Sequence, residues 1–318
     1  RITVWNGDTQ VGTWTGDRNE LISINNEGYE HRRRLSLWIN AGNEFVFHRI
    51  RVRMLDGGNA ETVRPIPSTA QPKQPPTITN SIGMEFVIVP KGKSWLGGGK
   101  DKLGDKEVEI PADFYLGKYE VTQEEWTQVM GANPSHFSRT RGGKEAVMEI
   151  SDEDLKRFPV ETVSWDDCQL FVAKLNEREK ETGWMYRLPT ATEWEYACRG
   201  GPMTDKANSA FDFYFAKPTN NPLREQASFG KNLGLNRTGK VGSNEANGLG
   251  IFDMHRNVWE WCDDKKEAAD GNVQRAQMGG GWNHIRSRSA AANIESQIPS
   301  HRSNALGLRL ARVPSAAP

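Results

Sequence analysis

The sequence carries no excess charge: its 318 residues hold 41 Lys and Arg against 41 Asp and Glu. A chain without a net field has nothing to steer it to nucleic acid or to an anionic membrane surface, so neither is an expected partner. Long apolar runs are missing too. No stretch approaches the roughly 20 residues that a membrane-crossing helix needs, and membrane insertion is not expected. No apolar leader core follows Arg1, so the sequence reads as a piece of a longer, multidomain chain with other domains before it. Its expected location is the cell surface or elsewhere outside the cytoplasm. Cysteine is scarce, with Cys168, Cys198 and Cys262 forming an odd set without Cys-x-x-Cys spacing. That excludes a disulfide framework and a zinc site. Each lies beside core-type residues, which points to free, buried thiols. Hydrophobic residues make up only 36%, so the 11 Trp and 12 Phe have to supply much of the core.

What is present divides the chain. At the usual size of ~150 residues per domain there is room for about two. Residues 1–62 alternate apolar and polar side chains in Ile2–Trp5, Gln10–Trp14, Arg34–Ile39 and Glu44–Met54, separated by Asn-Gly, Gly-Asp and Ala-Gly-Asn turns. This is the mark of half-buried strands. Four such strands cannot close a sandwich alone. The segment resembles the end of a concanavalin-like or laminin-G-like jelly roll, the C-terminal portion of an all-β sandwich. Residues 63–79 are a Pro-rich linker, since proline removes the amide donors that regular structure requires. From 80 to 318 the pattern is α+β with long irregular loops. Gly83–Pro90 reads as a strand. Thr122-Gln-Glu-Glu125, Ser164-Trp-Asp-Asp167 and Thr190-Ala-Thr-Glu193 each open a helix with a capping-box pattern, and Gly200-Gly201 closes the third.

Seven motifs then follow one another in a diagnostic order. They are Ser81-Ile-Gly-Met-Glu-Phe-Val-Ile-Val-Pro, Glu120-Val-Thr-Gln-Glu-Glu-Trp, Pro159-Val-Glu-Thr-Val-Ser-Trp-Asp-Asp, Arg187-Leu-Pro-Thr-Ala-Thr-Glu-Trp-Glu-Tyr-Ala-Cys-Arg-Gly-Gly, Asn247-Gly-Leu-Gly-Ile-Phe-Asp-Met, Asn257-Val-Trp-Glu-Trp and Leu306-Gly-Leu-Arg-Leu. From about Asn80 to Val313 the chain resembles the formylglycine-generating enzyme, or sulfatase-modifying factor, family. The resemblance implies a C-type-lectin-like fold rich in irregular loops. It leaves the activity open among cysteine oxidation, iron-dependent sulfur chemistry and binding alone.

The catalytic branch places two cysteines after a Gly-Gly-Ser-aromatic turn, where thiolates hold copper(I). Here the turn is Gly279-Gly-Gly-Trp282, the two positions are His284 and Ser289, and no cysteine follows Cys262. A catalytic residue is therefore not assigned, and neither copper nor iron is expected. The iron branch needs a His-x-x-x-His-x-Glu cluster, and the six histidines at 31, 48, 136, 255, 284 and 301 do not provide one. Ser287, His284 and Asp263 form no nucleophile elbow and are a chance co-occurrence. The resemblance also implies a structural calcium held by the side chains of Asn257 and Glu260 and by the carbonyls of Arg256 and Val258. The family has Gly where Arg256 stands, so the carbonyl ligand depends on a backbone that does not demand positive φ. A second family calcium site, near Ala227-Ser228, lacks its usual Asn.

The run from Gly279 to Leu310 frames polar residues between Gly-Gly-Gly-Trp and Leu-Gly-Leu-Arg-Leu. Leu306, Leu308 and Leu310 alternate as a last strand would, and Arg309 is read as the partner of a buried carboxylate. Between the frames no helical or strand period exists. The candidate ligand-binding residues are Trp282, Asn283, His284, Arg286, Ser287, Arg288, Asn293, Glu295, Gln297, His301 and Asn304, carried on loops over a rigid scaffold. The same segment resembles the variable region of diversity-generating-retroelement proteins, which implies a bacterial setting. The expected function is non-catalytic recognition of a protein or glycan. The alternative is an oxidoreductase of the same family with a divergent site around His284.

Overall fold

The computed structural model describes residues 2–6, 9–14, 76–223, 236–268 and 271–315, the first two ranges as backbone only. The chain divides into two compact units, Arg1–Lys73 and Gln74–Pro318. In the first, β1 (Ile2–Asn6) pairs antiparallel with β2 (Thr9–Trp14), where the sequence alternates. The strands expected at 34–39 and 44–54, most of the linker, and Ala227-Ser228 lie outside the described residues.

The second unit begins with β3 (Thr77–Thr79), β4 (Glu85–Val89), β5 (Gly92–Leu96), β6 (Lys106–Ile110) and β7 (Phe114–Gly117). Helices α1 (Gln123–Met130), α2 (Asp152–Lys156) and α3 (Trp165–Glu179) follow, then β8 (Trp184–Arg187) and α4 (Ala191–Cys198). The remainder is β9 (Phe213–Tyr214), β10 (Pro218–Thr219), β11 (Trp259–Glu267), β12 (Val273–Met278), β13 (Glu295–Gln297), β14 (Leu306–Gly307) and β15 (Ala311–Pro314). Two sheets organise it, one in the order β3-β4-β7-β15-β8 and the other in the order β13-β12-β11-β14.

The helices start where their caps dictate. Thr122, Ser164 and Thr190 each accept a hydrogen bond from the backbone three residues on, and Glu125, Asp167 and Glu193 return it. Trp126 of α1 then stacks on Phe171 of α3, with ring centroids 4.9 Å apart. The continuous apolar run of β4 fits a strand covered on both faces. Phe86 joins the cluster that also holds Trp126, Phe171 and Leu306, whereas Val87 and Val89 join the one built on Trp194, Ile251 and Met278.

Two sequence readings of the last residues meet the structure differently. Leu306, Leu308 and Leu310 are all buried, but they do not form one strand. Leu306 and Gly307 run parallel to Trp259 and Glu260, and the chain then crosses to the other sheet, whose strand is Ala311–Pro314. Burial on every side, rather than strand alternation, explains the leucines. Arg309 does meet a buried carboxylate. Its guanidinium lies 2.6 Å from Glu260, both side chains being fully buried. It also donates to the carbonyls of Gly117 and Phe252, each at 2.9 Å.

Removing Arg309 leaves the Glu260 carboxylate without its cation in the interior. Arg309→Ala is expected to cost about 3–5 kcal/mol. Urea unfolding measures it, and a loss below about 1 kcal/mol would show that the pair is not what joins the sheets.

Candidate functional site

The turn that launches the polar segment is fixed by glycine. Gly279 and Gly280 have φ of 92° and 79°, and a Cβ on Gly280 would strike the side chain of Ser289. Trp282 ends the turn as an anchor. Its ring meets Phe137 edge-on at 5.4 Å, and its Nε1 donates to the carbonyl of Asn304 at 2.9 Å. The opening and closing ends of the segment are thereby tied together. Asn283, Arg286, Ser287 and Arg288 are exposed, with Arg286 to Ser289 forming one turn of 3-10 helix. Asn293 donates to the Arg288 carbonyl at 3.0 Å, and Arg288 pairs with Glu295 at 3.3 Å. Gln297 shares β13 with Glu295, and His301 and Asn304 are half-buried.

Three residues of this segment were not singled out by sequence reasoning. Ile285, Ile294 and Ile298 are 68%, 51% and 46% exposed, although isoleucine ordinarily fills a core. The available signal was their place in a stretch without period, where no strand or helix face could bury them.

His284 and Ser289, where the family resemblance leads one to expect cysteines, are both engaged with the scaffold. His284 is half-buried, and its Nδ1 accepts from Trp259 Nε1 at 3.2 Å. Burial first, and the nearby Arg288 second, lower its pKa. Ser289 is 1% exposed, and its carbonyl accepts from His255 Nδ1 at 2.8 Å. His255 Nε2 in turn accepts from the Tyr214 amide at 2.8 Å, which fixes the neutral tautomer with its proton on Nδ1. Cys198 Sγ stands 3.5 Å from that same Nε2. Burial drives the Cys198 pKa up and lowers His255 to about 4, so the pair is thiol and neutral imidazole, not an activated nucleophile. Cys168 and Cys262 are also buried and raised.

The two side chains implied as calcium ligands, Asn257 and Glu260, are committed to other partners. Both Glu260 oxygens accept from Arg309, and one also accepts from Trp194 Nε1 at 2.5 Å. Asn257 Oδ1 accepts from the Gly239 amide at 2.8 Å, while its Nδ2 donates to Glu120 at 2.6 Å. Arg256 has φ of 130°, in the region that favours glycine, and its guanidinium donates to the Trp282 carbonyl. The Val258 amide donates to Glu120 at 3.1 Å. As arranged, this set does not fit a divalent cation, which would have to displace a guanidinium from Glu260. Among the described residues, no three His, Cys, Asp or Glu side chains gather as a metal-holding group. No helix among them is long and apolar enough to cross a membrane.

Comparison with known proteins is consistent along most of the second unit. Residues 71–314 match the sulfatase-modifying factor enzyme 1-like domain. Chaperone protein LppX of Paenibacillus barcinonensis is 34% identical over 250 residues, 64% of this chain and 80% of that protein. Formylglycine-generating enzyme of Mus musculus is 29% identical over 152 residues, 44% of this chain and 34% of the enzyme, so about a third of the enzyme's length is spanned. Among solved structures, Treponema denticola variable protein 1 superposes with a TM-score of 0.60 at 25% identity, over 75% of this chain and 99% of that one.

His255 generates a pH dependence. The unfolded chain takes up a proton below pH 6.5 and the folded chain only near 4, so the residue's contribution is complete above 6.5 and is lost as pH falls toward 4. Glu161, raised by burial to about 7, acts in the opposite direction, and comparison with His255→Gln cancels it. Across that window the wild type is expected to lose up to about 1.4 kcal/mol per pH unit relative to the variant. Parallel stability curves from denaturant titrations would contradict the buried neutral imidazole.

Proposed function

Since the chain belongs to the sulfatase-modifying factor enzyme 1-like domain family and has its α+β, C-type-lectin-like fold, we propose that it is a non-catalytic binding module whose ligand face is the segment 282–304. The observation that carries this reading is a contrast within one stretch of chain. The frame at Gly279–Gly281, Ser289–Ala291 and Ala305–Ala311 is buried, while between its parts Ile285, Ile294 and Ile298 stand exposed beside Asn283, Arg286 and Arg288. Exposed side chains carried on loops over a buried frame are the usual setting of a recognition surface.

The family's oxidative chemistry has no support from these side chains. It needs accessible thiolates, and the chain's three thiols are buried, whereas Ser289 is sealed beneath Gly280 and His284 is held by Trp259. A relative named as a chaperone and a neighbour named as a variable protein are in keeping with recognition rather than turnover. In this reading calcium is dispensable, because Arg309 supplies the positive charge at Glu260.

The purified chain is expected to retain no stoichiometric copper or iron and to consume no oxygen with a cysteine-containing peptide. Metal analysis by mass spectrometry and an oxygen electrode decide it. One equivalent of copper together with oxygen uptake would overturn the binding-only reading in favour of a divergent oxidoreductase.

A further inference from the structure

Strand β13 lies at the edge of its sheet, paired with β12 on one side and with no described strand on the other. Its register sets Glu295 against Gln277, Ser296 against Ala276 and Gln297 against Arg275. Among the described residues, no other segment exchanges hydrogen bonds with the backbone of 295–297. An edge strand left in this state offers a row of amides and carbonyls to any extended chain. Proteins ordinarily blunt such edges with short length, charged side chains, proline or a bulge. This edge has no lysine, proline or bulge within it, and its guards are its three-residue length and Glu295, which is paired with Arg288.

The flanking residues are exposed and apolar. Ile294 and Ile298 stand immediately before and after the strand, on the period-2 positions of Ser296, about 13 Å apart along it. The charged groups on either side are paired, Arg288 with Glu295 at 3.3 Å and Arg302 with Asp167 at 2.8 Å, so the edge carries no strong charge of one sign.

We propose that the β13 edge is a docking site for an extended peptide segment of a partner protein, which adds as a strand beside Glu295–Gln297. This rests on the binding reading above and narrows its ligand to a polypeptide. The partner's backbone satisfies the edge, and its alternate apolar side chains pack on Ile294 and Ile298. A glycan fits the same place poorly. It has no amide ladder for the edge, and branched aliphatic side chains lack the flat face on which a sugar ring stacks.

The test selects binders to the purified chain from a displayed library of random nonapeptides. The selected peptides are expected to place apolar residues at every second position. Methylating alternate backbone nitrogens of such a peptide should weaken binding at least about tenfold, and Ile294→Lys or Ile298→Lys should do the same with an unchanged thermal melt. Peptides lost on the lysine variants yet indifferent to N-methylation would overturn strand addition while leaving the binding face intact. Peptides indifferent to both changes would remove the proposal and this face together. Failure to recover any peptide, or recovery of peptides without alternation, would overturn the proposal.

Discussion

The buried pair of Arg309 and Glu260 is the interaction on which the rest of the second unit depends. Glu260 belongs to β11, and Arg309 lies on the crossing between β14 and β15, so one ion pair ties a strand of one sheet to the segment that leads into the other. Burial alone would lower the Arg309 pKa, but Glu260, then Glu120 and Asp253, raise it. Glu120 itself is pushed well up, first by burial and then by Asp253 and Glu260. Such a network stabilises little relative to an apolar core of the same volume, yet it tolerates only one arrangement, because any slip strands a charge. It specifies geometry rather than adding strength.

From that fixed point the polar segment is suspended at several places. Trp282 is held by Phe137 and Asn304, and Thr162 donates its amide to the Ser303 carbonyl at 2.9 Å. Ser289 is held from beneath by His255, which also takes the Tyr214 amide. Between these ties Asn283, Ile285 and Ser287 are exposed, while Arg288 pairs with Glu295 and Arg302 with Asp167. The scaffold thus keeps the family's frame, and His284 and Ser289 serve it mechanically. His284 is a partner for Trp259, and Ser289 is a filler under Gly280.

Much of this was legible in the sequence wherever a local rule decides the structure. The three capping boxes, the buried thiols and the carboxylate partner of Arg309 follow from residue chemistry that tertiary context does not override. The last strand was misplaced because Leu306 to Leu310 are buried on all sides, and alternation carries no information there. Glu260 and Asn257 were expected as calcium ligands from the family resemblance, and a resemblance does not show that Arg309, Gly239 and Glu120 take up their polar atoms. The exposed isoleucines had only the signal of lying in a stretch without period, and the His255 hub had none, since it is defined by neighbours remote in the chain.

The central claim is that frame and face are separable. It is tested most directly by randomising Asn283, Ile285, Arg286, Ser287, Arg288 and Gln297 together and measuring thermal unfolding across the resulting variants. The account predicts that most variants fold and melt within about 5 °C of the parent, since surface changes of this kind stay within a couple of kcal/mol. Broad loss of folding across that set would contradict it, because those side chains would then be part of the frame.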